Sequence, residues 1–324
     1  MKIKFFIVAV AALFCAACSD KPDIEVTLHQ GAPIPSPRAC ATSFVMNGQA
    51  YVFAGRDSLN NRLNDLWRYD PQSDTWTAMG ETPLSPRVNA TACTVGDKVY
   101  LGLGFNGLYG DEDSYLRDWW EYKPQTNQWT QLADYPNEYT DKATCFVGEG
   151  ELYVGYGFFW NYRRDMFRYS ISENRWDSID VQAGKFEYPT RSFGGTGCTC
   201  QNRHFMGSGY YRYSLNWWAE LVDGKHWEER TPIPGKARTL AASAATDSYV
   251  YIAGGLHYGG VNTTGDVLRD IRRYDPLTDS WQLALILPEG LYNHCCFTIG
   301  KRIYVGIGEG LDEKLTPALY WFEE

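Results

Sequence analysis

Several features that would place this chain of 324 residues in common functional classes are missing from it. Beyond the N-terminal segment, no stretch approaches the roughly 18 consecutive apolar residues of a transmembrane helix. Lys and Arg number 30 against 39 Asp and Glu, and this acidic balance argues against a nucleic-acid partner. The five His residues are dispersed and no CxxC spacing occurs beyond the N-terminal segment, so we expect neither a metal site nor a cofactor.

Long runs of helix-forming residues are also scarce, whereas aromatic residues and glycine are abundant. Aromatic side chains make up 15% of the chain, and glycine occurs 31 times. Many aromatic residues combined with many turn-forming glycines are typical of proteins built from short strands and turns. The composition therefore predicts an all-β protein.

The N-terminus has the pattern of a targeting segment. Lys2 and Lys4 precede the apolar run Phe5–Ala17, which is too short to span a membrane stably. We expect this segment to be a signal peptide that directs export. Residues 1–17 would then be absent from the folded domain.

The end of this segment, "CAAC", resembles the lipobox of bacterial lipoproteins, although Cys15 stands where Leu is usual. The resemblance implies lipidation of Cys18, a flexible tail over residues 18–23, and membrane attachment through the lipid anchor alone. Ser19 after the cysteine implies the outer membrane, with the domain facing the periplasm or the cell surface. A plain secretory signal is the alternative.

A short pattern, an aromatic residue followed by three residues and then Gly, recurs at intervals of about 50 residues. Its six copies are "YVFAG" from Tyr51, "YLGLG" from Tyr100, "YVGYG" from Tyr153, "FMGSG" from Phe205, "YIAGG" from Tyr251 and "YVGIG" from Tyr304. Repetition at this period indicates six copies of one structural unit.

A second pattern follows four of these copies, in which Asp precedes Tyr by four residues and Tyr precedes Trp by seven. It occurs in "DLWRYDPQSDTW", "DWWEYKPQTNQW", "DMFRYSISENRW" and "DIRRYDPLTDSW". Together the two patterns resemble the kelch motif. The fourth unit departs from it, since "ELVDGKHW" has Leu221 in place of Tyr and one residue fewer before Trp227.

The resemblance implies a six-bladed kelch β-propeller over residues 24–324, with four antiparallel strands, a to d, in each blade. The sixth unit ends two residues after Phe322 and so has no strand d of its own. We expect Ile24–Gln30 to supply that strand and close the ring, which leaves no exposed sheet edge at the seam.

Seven cysteines remain after the N-terminal segment, and all are predicted to lie on the strands a, nearest the axis. Small side chains suit positions where six strands converge, so packing explains them. One or two disulfides between neighbouring inner strands are the alternative, in an oxidising compartment. The seven are Cys40, Cys93, Cys145, Cys198, Cys200, Cys295 and Cys296.

Strand direction places the d–a and b–c connections on one face, and this face has all the long connections. Basic residues recur there, where strand a begins. They are Arg38, Arg87, Lys142, Arg191, Arg238 and His294. Converging guanidiniums would bind an anion such as a carboxylate. The alternative is that each arginine pairs with the Asp that opens strand c.

The b–c connections add bulky aromatic side chains, whose flat rings with polar tips suit sugar faces and protein hot spots. The main candidates are Phe158, Phe159, Trp160, Tyr210 and Tyr211. The alternative is that they fold back over the tops of the blades.

These features favour a binding or protein-interaction propeller of the cell envelope, whose partner is a glycan, an acidic small molecule or another envelope protein. Exported propellers of this architecture also resemble N-acetylneuraminate epimerase, which implies a sugar-acid mutarotase as an alternative. The candidate residues for acid–base catalysis of that reaction are Glu138, Asp141, Glu187 and Glu309. An accessory subunit of an outer-membrane assembly is the third possibility.

Overall fold

A computed structural model describes residues 21–107, 111–136, 140–159, 161–162, 165–179, 192–259 and 265–324. Six four-stranded antiparallel sheets form the blades of a propeller, as predicted. The first strand of each sheet contacts the first strand of the next, so six inner strands surround a central axis. The described residues include no helix long and apolar enough to cross a membrane.

The strands follow the chain blade by blade. An initial strand, β1 (His29–Gly31), precedes blade 1, which comprises β2 (Thr42–Met46), β3 (Gln49–Phe53), β4 (Asp65–Asp70) and β5 (Thr75–Glu81). Blade 2 comprises β6 (Thr91–Val95), β7 (Lys98–Gly102), β8 (Trp119–Lys123) and β9 (Gln128–Gln131). Blade 3 comprises β10 (Thr144–Gly148), β11 (Glu151–Gly155), a hairpin of β12 (Phe158–Phe159) and β13 (Asn161–Tyr162), β14 (Met166–Ser170) and β15 (Arg175–Ile179).

Blades 4 and 5 carry similar hairpins. Blade 4 comprises β16 (Thr196–Cys200), β17 (Arg203–Gly207), the hairpin β18 (Tyr210–Tyr211) and β19 (Tyr213–Ser214), β20 (Trp218–Val222) and β21 (His226–Glu229). Blade 5 comprises β22 (Ala242–Ala245), β23 (Val250–Ala253), the hairpin β24 (Leu256–His257) and β25 (Asp266–Val267), β26 (Asp270–Asp275) and β27 (Ser280–Ile286). Blade 6 comprises β28 (Cys295–Ile299), β29 (Arg302–Glu309) and β30 (Leu315–Glu323), and short 3₁₀ turns lie at Glu112–Ser114 and Leu311–Glu313.

The ring closes through the two ends of the described chain. β1 pairs antiparallel with β30, so that His29 lies opposite Trp321 with ring centroids 4.1 Å apart. The predicted strand Ile24–Gln30 is therefore correct only at its end. Its earlier residues Ile24, Val26 and Leu28 instead pack their side chains on the apolar cluster between blades 5 and 6.

The repeated Tyr and Trp residues form the core between blades. Tyr69 on β4 lies 5.0 Å from Trp76 on β5 and 5.7 Å from Tyr304 of blade 6, measured between ring centroids. Its hydroxyl donates to Asp74 Oδ1 at 2.7 Å, and this carboxylate also accepts a hydrogen bond from the amide of Ala32. In blade 1 the repeated pattern thus joins the blade to its neighbour by aromatic packing and by a hydrogen bond.

One disulfide links two inner strands, which settles an alternative that the sequence left open. Cys93 on β6 and Cys145 on β10 are bonded, with Cα atoms 6.6 Å apart. Cys40 lies just before its inner strand, not on it. The other described cysteines have free thiols, and burial raises the pKa of Cys295 to about 12.

Candidate functional site at the channel mouth

Six residues form a ring around the propeller axis, at the end where each inner strand begins. In every blade the residue two places before this strand has a left-handed backbone, with φ between 48° and 61°. Backbone hydrogen bonds run from blade to blade at this level, as from the Asn89 amide to the Cys40 carbonyl at 2.9 Å. The ring consists of Cys40, Asn89, Lys142, Gly194, Leu240 and Asn293.

The next position is small in five blades but is histidine in the sixth. The five are Ala41, Ala90, Ala143, Gly195 and Ala241. His294 has only 7% of its surface exposed, and neither ring nitrogen has a hydrogen-bond partner within the described chain. Burial lowers the pKa of His294 to about 3, so its ring is neutral at physiological pH, with one donor and one acceptor nitrogen.

Glycine on the neighbouring strand makes room for this histidine. A Cβ atom at Gly308 would lie 2.3 Å from His294 Cβ, a distance that non-bonded carbons do not reach. The backbone of blade 6 therefore approaches residue 294 so closely that only glycine fits at position 308. The imidazole of His294 lines the cavity at the mouth, together with the six residues that surround the axis.

Two buried carboxylates lie beside the mouth, and each is held by a neighbour from another element. Glu309, 3% exposed, accepts from Arg56 at 2.8 Å and from the side-chain amide of Asn293 at 2.9 Å. Asp141, 1% exposed, accepts from the side-chain amide of Asn89 at 2.9 Å. The mouth therefore combines fixed acceptors with amide donors, and its carboxylates are held in place before any ligand binds.

Lys142 supplies the positive charge of the ring. Its ammonium lies 5.2 Å from the ring centroid of Phe193, and it forms no ion pair with any residue that the structure describes. A cation over an aromatic face is held only weakly, by about 0.5–1 kcal/mol at an exposed site. The ammonium is therefore available to pair with an incoming anionic group.

Aromatic side chains form a wall above the mouth on blades 4 and 5. Tyr210 lies 5.6 Å from Phe193 and 5.8 Å from Tyr258, measured between ring centroids. The hairpin of blade 4 is tied to blade 5 by Ser214, whose amide donates to the Tyr258 carbonyl. The cavity below this wall has about 180 Å³. This is less than the roughly 300–1,000 Å³ of pockets that enclose a whole ligand, so the mouth suits one end of a larger molecule.

Comparison with known proteins places this geometry in a family. The family model described as "KLHDC2/KLHL20/DRC7 Kelch-repeats domain" matches residues 22–209, and a "Kelch motif" model matches residues 237–284. The chain belongs to the kelch-repeat family. The arrangement of six blades around one axis agrees with that assignment.

Curated relatives of this kelch propeller are longer proteins. Kelch-like protein 23 of Mus musculus is 24% identical over 277 residues, which cover 83% of this chain and 46% of that protein. Kelch-like protein terF of Aspergillus terreus is 24% identical over 308 residues, which cover 93% of this chain and 56% of that protein. The chain thus spans about half the length of these relatives.

A solved structure titled "Structure of YjhT" has the same fold. It superimposes with a TM-score of 0.71 at 17% identity, and the match covers 88% of this chain and 94% of the other. At this identity the likeness concerns the fold. The fold alone does not assign a function, which depends on the residues at the site.

Three of the predicted basic residues have structural partners in this kelch propeller. Arg38, Arg87 and Arg238 are fully buried, and their guanidiniums pair with the Asp that opens strand c in the same blade. Arg87 binds both oxygens of Asp118, at 2.6 and 2.9 Å, and also the Leu103 carbonyl. These arginines therefore pair with the Asp that opens strand c, which was the alternative to an anion site. Lys142 and His294, in contrast, lie at the mouth.

Other predicted site residues lie outside the part of the chain that the structure describes. They are Cys18, Glu138, Trp160, Glu187 and Arg191. Phe158 and Phe159 form a short hairpin strand opposite Asn161 and Tyr162. Tyr210 belongs to the aromatic wall, and Tyr211 lies beside it with the Arg212 guanidinium 5.5 Å from its ring centroid.

Sequence reasoning missed four residues of the mouth, Arg56, Asn89, Phe193 and Asn293. An alignment of the six units on the start of strand a would have placed Asn89 and Asn293 in one column with Lys142. Arg56 could not be assigned to the mouth from the sequence, because its partner, Glu309, lies more than 200 residues further along the chain. Only ring closure brings blades 1 and 6 together.

Proposed function

We propose that this protein is an exported envelope propeller that binds the end of a glycan, preferably one that carries an acidic sugar, at the channel mouth. The observation that carries this proposal is His294, whose buried, neutral ring lines the cavity with two nitrogens that have no partner among the described residues. Buried polar groups are normally hydrogen-bonded, so this imidazole is suited to a ligand with hydroxyl groups.

The other groups at the mouth support the same class of ligand. Sugar hydroxyls both donate and accept, and the mouth is lined by the side-chain amides of Asn89 and Asn293, each oriented by a buried carboxylate. The ring face of Tyr210 suits the apolar face of a sugar. The ammonium of Lys142, which has no carboxylate partner among the described residues, favours a single acidic group on the ligand.

Export and lipid anchoring at Cys18 are part of this proposal. They are supported by the N-terminal pattern, and the disulfide between Cys93 and Cys145 supports an oxidising compartment. Metabolic labelling with a radioactive fatty acid tests the anchor directly. The label is expected on the wild-type protein and absent from Cys18→Ala.

Binding is tested by calorimetry with N-acetylneuraminic acid and with its neutral methyl ester. We expect the acid to bind more tightly than the ester, and Lys142→Ala to remove this preference with at least a tenfold loss of affinity for the acid. The matched control is Lys301→Ala, which removes an exposed ammonium from a turn on the opposite face. Equal affinity of wild type and Lys142→Ala, or no binding of any sugar on an acidic-glycan array, would contradict the proposal.

A sugar-acid mutarotase is the second candidate, because His294 lines the mouth and two buried carboxylates lie directly behind its lining. Asp141 and Glu309 accept hydrogen bonds from Asn89 and Asn293 of that lining. An NMR measurement of anomer interconversion decides between the two functions. A rate above buffer that falls at least tenfold in Glu309→Gln would establish catalysis. A rate equal to that in buffer, with sugar bound, would leave binding as the function.

A further inference from the structure

Blade 4 departs from the repeat at one cross-strand pair. In four other blades an aliphatic residue of strand b lies opposite a Tyr of strand c, as in Val99 opposite Tyr122 and Val250 opposite Tyr274. In blade 4 this pair is His204 opposite Leu221. The aromatic residue has thus moved from strand c to strand b.

The exchange leaves space between blades 3 and 4. Elsewhere the Tyr of strand c packs on two aromatic rings of the preceding blade, as Tyr122 does on Phe44 and Tyr51, at 6.4 and 6.5 Å. Here the smaller ring of His204 stacks on Phe146 and Tyr153, at 5.3 and 6.2 Å between centroids.

A cleft of about 710 Å³ lies at this position, on the face opposite the channel mouth. Its rim is formed by the a–b turn of blade 3, at Glu149 and Gly150, and by the short c–d turn of blade 4, at Asp223 and Gly224. Unlike the cavity at the mouth, it falls within the size range of pockets that hold a small ligand.

Two polar atoms face this cleft without partners in the described part of the chain. Tyr153 is only 6% exposed, and its hydroxyl makes no hydrogen bond, whereas the equivalent Tyr100 donates to Glu121 at 3.2 Å. His204 uses Nδ1 to pair with Thr199 at 3.0 Å, and its Nε2 has no partner. Burial lowers the pKa of His204, so the neutral ring presents an acceptor or a donor to the cleft.

Charges around the cleft are mainly negative. Glu149 is exposed and forms no ion pair with any described residue, and Asp223 is also exposed at the rim. The arginine in the lining, Arg203, is neutralised by the buried Glu220, with Nε 2.8 Å from Oε1. Glu220 is in turn held by Arg230 at 2.9 Å. A ligand therefore meets the Glu149 carboxylate, which has no ion-pair partner among the described residues, together with the phenol oxygen of Tyr153 and the ring of His204.

We propose that this cleft binds an organic cation, a primary ammonium or guanidinium group on an aliphatic arm. The charged group lies between the Glu149 carboxylate and the Tyr153 hydroxyl, and the arm packs on His204 and Leu221. This chemistry occurs in free amines and in the side chains of lysine and arginine. Desolvated cations beside aromatic rings and carboxylates gain both cation–π and charge-assisted hydrogen-bond energy.

The test is saturation-transfer NMR and titration of the full chain with pentylamine, Nα-acetyl-lysine methylamide and the neutral Nα-acetyl-norleucine methylamide. We expect binding of at least one amine and none of the norleucine compound. Affinity should fall at least tenfold in Glu149→Gln and stay unchanged in Glu173→Gln, which alters an exposed carboxylate of the blade 3 c–d turn outside the cleft.

A second variant closes the cleft without removing charge. His204→Val with Leu221→Tyr restores the Val–Tyr pair of blades 2 and 5, and we expect the variant to fold, retain sugar binding at the mouth and lose amine binding. Stronger binding of pentylamine than of the lysine compound would indicate that the natural ligand is a free amine. Stronger binding of the lysine compound would indicate that it is a side chain of a partner protein. The proposal is overturned if neither amine binds wild type, or if both bind the double variant as tightly as wild type.

Discussion

The buried arginines show how one residue type serves the fold at positions where a sequence suggests a ligand site. Each of Arg38, Arg87 and Arg238 is enclosed with an aspartate, and each also donates to a backbone carbonyl of the same blade. Sequence spacing places an arginine near the mouth but does not give the direction of its side chain. The aspartates that accept these side chains lie about 30 residues further along the chain, on strand c.

The Arg87 pair is expected to contribute strongly to stability. Arg87→Ala leaves the Asp118 carboxylate, 22% exposed, without its guanidinium, and breaking a buried ion pair in this way costs about 3–5 kcal/mol. Urea unfolding should show this loss. The exposed neighbour Arg117→Ala should leave the free energy of unfolding unchanged. A loss below about 1 kcal/mol for Arg87→Ala would show that Asp118 is solvated well enough without its partner.

The same pairs predict acid sensitivity. Burial raises the pKa of Asp65 and Asp270, but their arginine partners outweigh burial and leave both pKa values below the ordinary 3.8. Because the folded pKa is the lower one, these pairs stabilise the fold above about pH 4, and this contribution is lost as pH falls through the folded pKa.

Thermal melting between pH 7 and pH 2 measures this dependence. The melting temperature of wild type should fall below about pH 4. The fall should be smaller in Asp65→Asn, which has no carboxylate to protonate at this position. An equal fall in both proteins would mean that other carboxylates cause the acid sensitivity.

At the scale of elements, the inner strands share one register, and this determines which cysteines can pair. Cys93 is the third residue of β6, and Cys145 is the second residue of β10 in the next blade. Cys198 is likewise the third residue of β16, but the second residue of β22 is Ser243. The sequence showed seven cysteines near the axis, whereas their pairing depends on register between neighbouring sheets.

This register predicts a second cross-link. Ser243→Cys should form a disulfide with Cys198 and raise the free energy of unfolding by about 2–4 kcal/mol, because the bond closes a loop of about 46 residues. Peptide mapping without reductant detects the cross-link, and urea unfolding measures the gain. Ser243→Ala, which removes the same hydroxyl without adding a thiol, is the control. Two unreacted thiols in Ser243→Cys would show that the register of blades 2 and 3 does not extend to blades 4 and 5.

At the scale of the whole molecule, a three-residue strand from the N-terminal side completes the last blade. β1 pairs with β30, and the preceding residues pack between blades 5 and 6. Without β1, the backbone edge of β30 would be exposed, and exposed edges promote aggregation. The closure also brings Arg56 to Glu309, so one side of the mouth depends on it.

A chain that begins at residue 33 should therefore lose the cooperative unfolding of the intact propeller and aggregate. Differential scanning calorimetry and light scattering measure both effects. A chain that begins at residue 21 keeps all the closure contacts and should behave as the full domain does. If the shorter chain melts at the temperature of the longer one, blade 6 is stable with three strands.

The sequence by itself determined the propeller, because the period of about 50 residues and the fixed offsets of Asp, Tyr and Trp are local patterns. It also determined which loops lie together on the face that has the long connections, since antiparallel connectivity leaves no choice about which loops share an end. Only the tertiary structure decided which side chains face the mouth and which are enclosed. Arg87 lies four residues before its inner strand and is enclosed with a carboxylate of strand c, whereas Lys142 lies two residues before its inner strand, at the left-handed position that lines the mouth. The cleft beside His204 also appeared only in three dimensions, because it depends on the fit of two blades whose facing residues are distant in sequence.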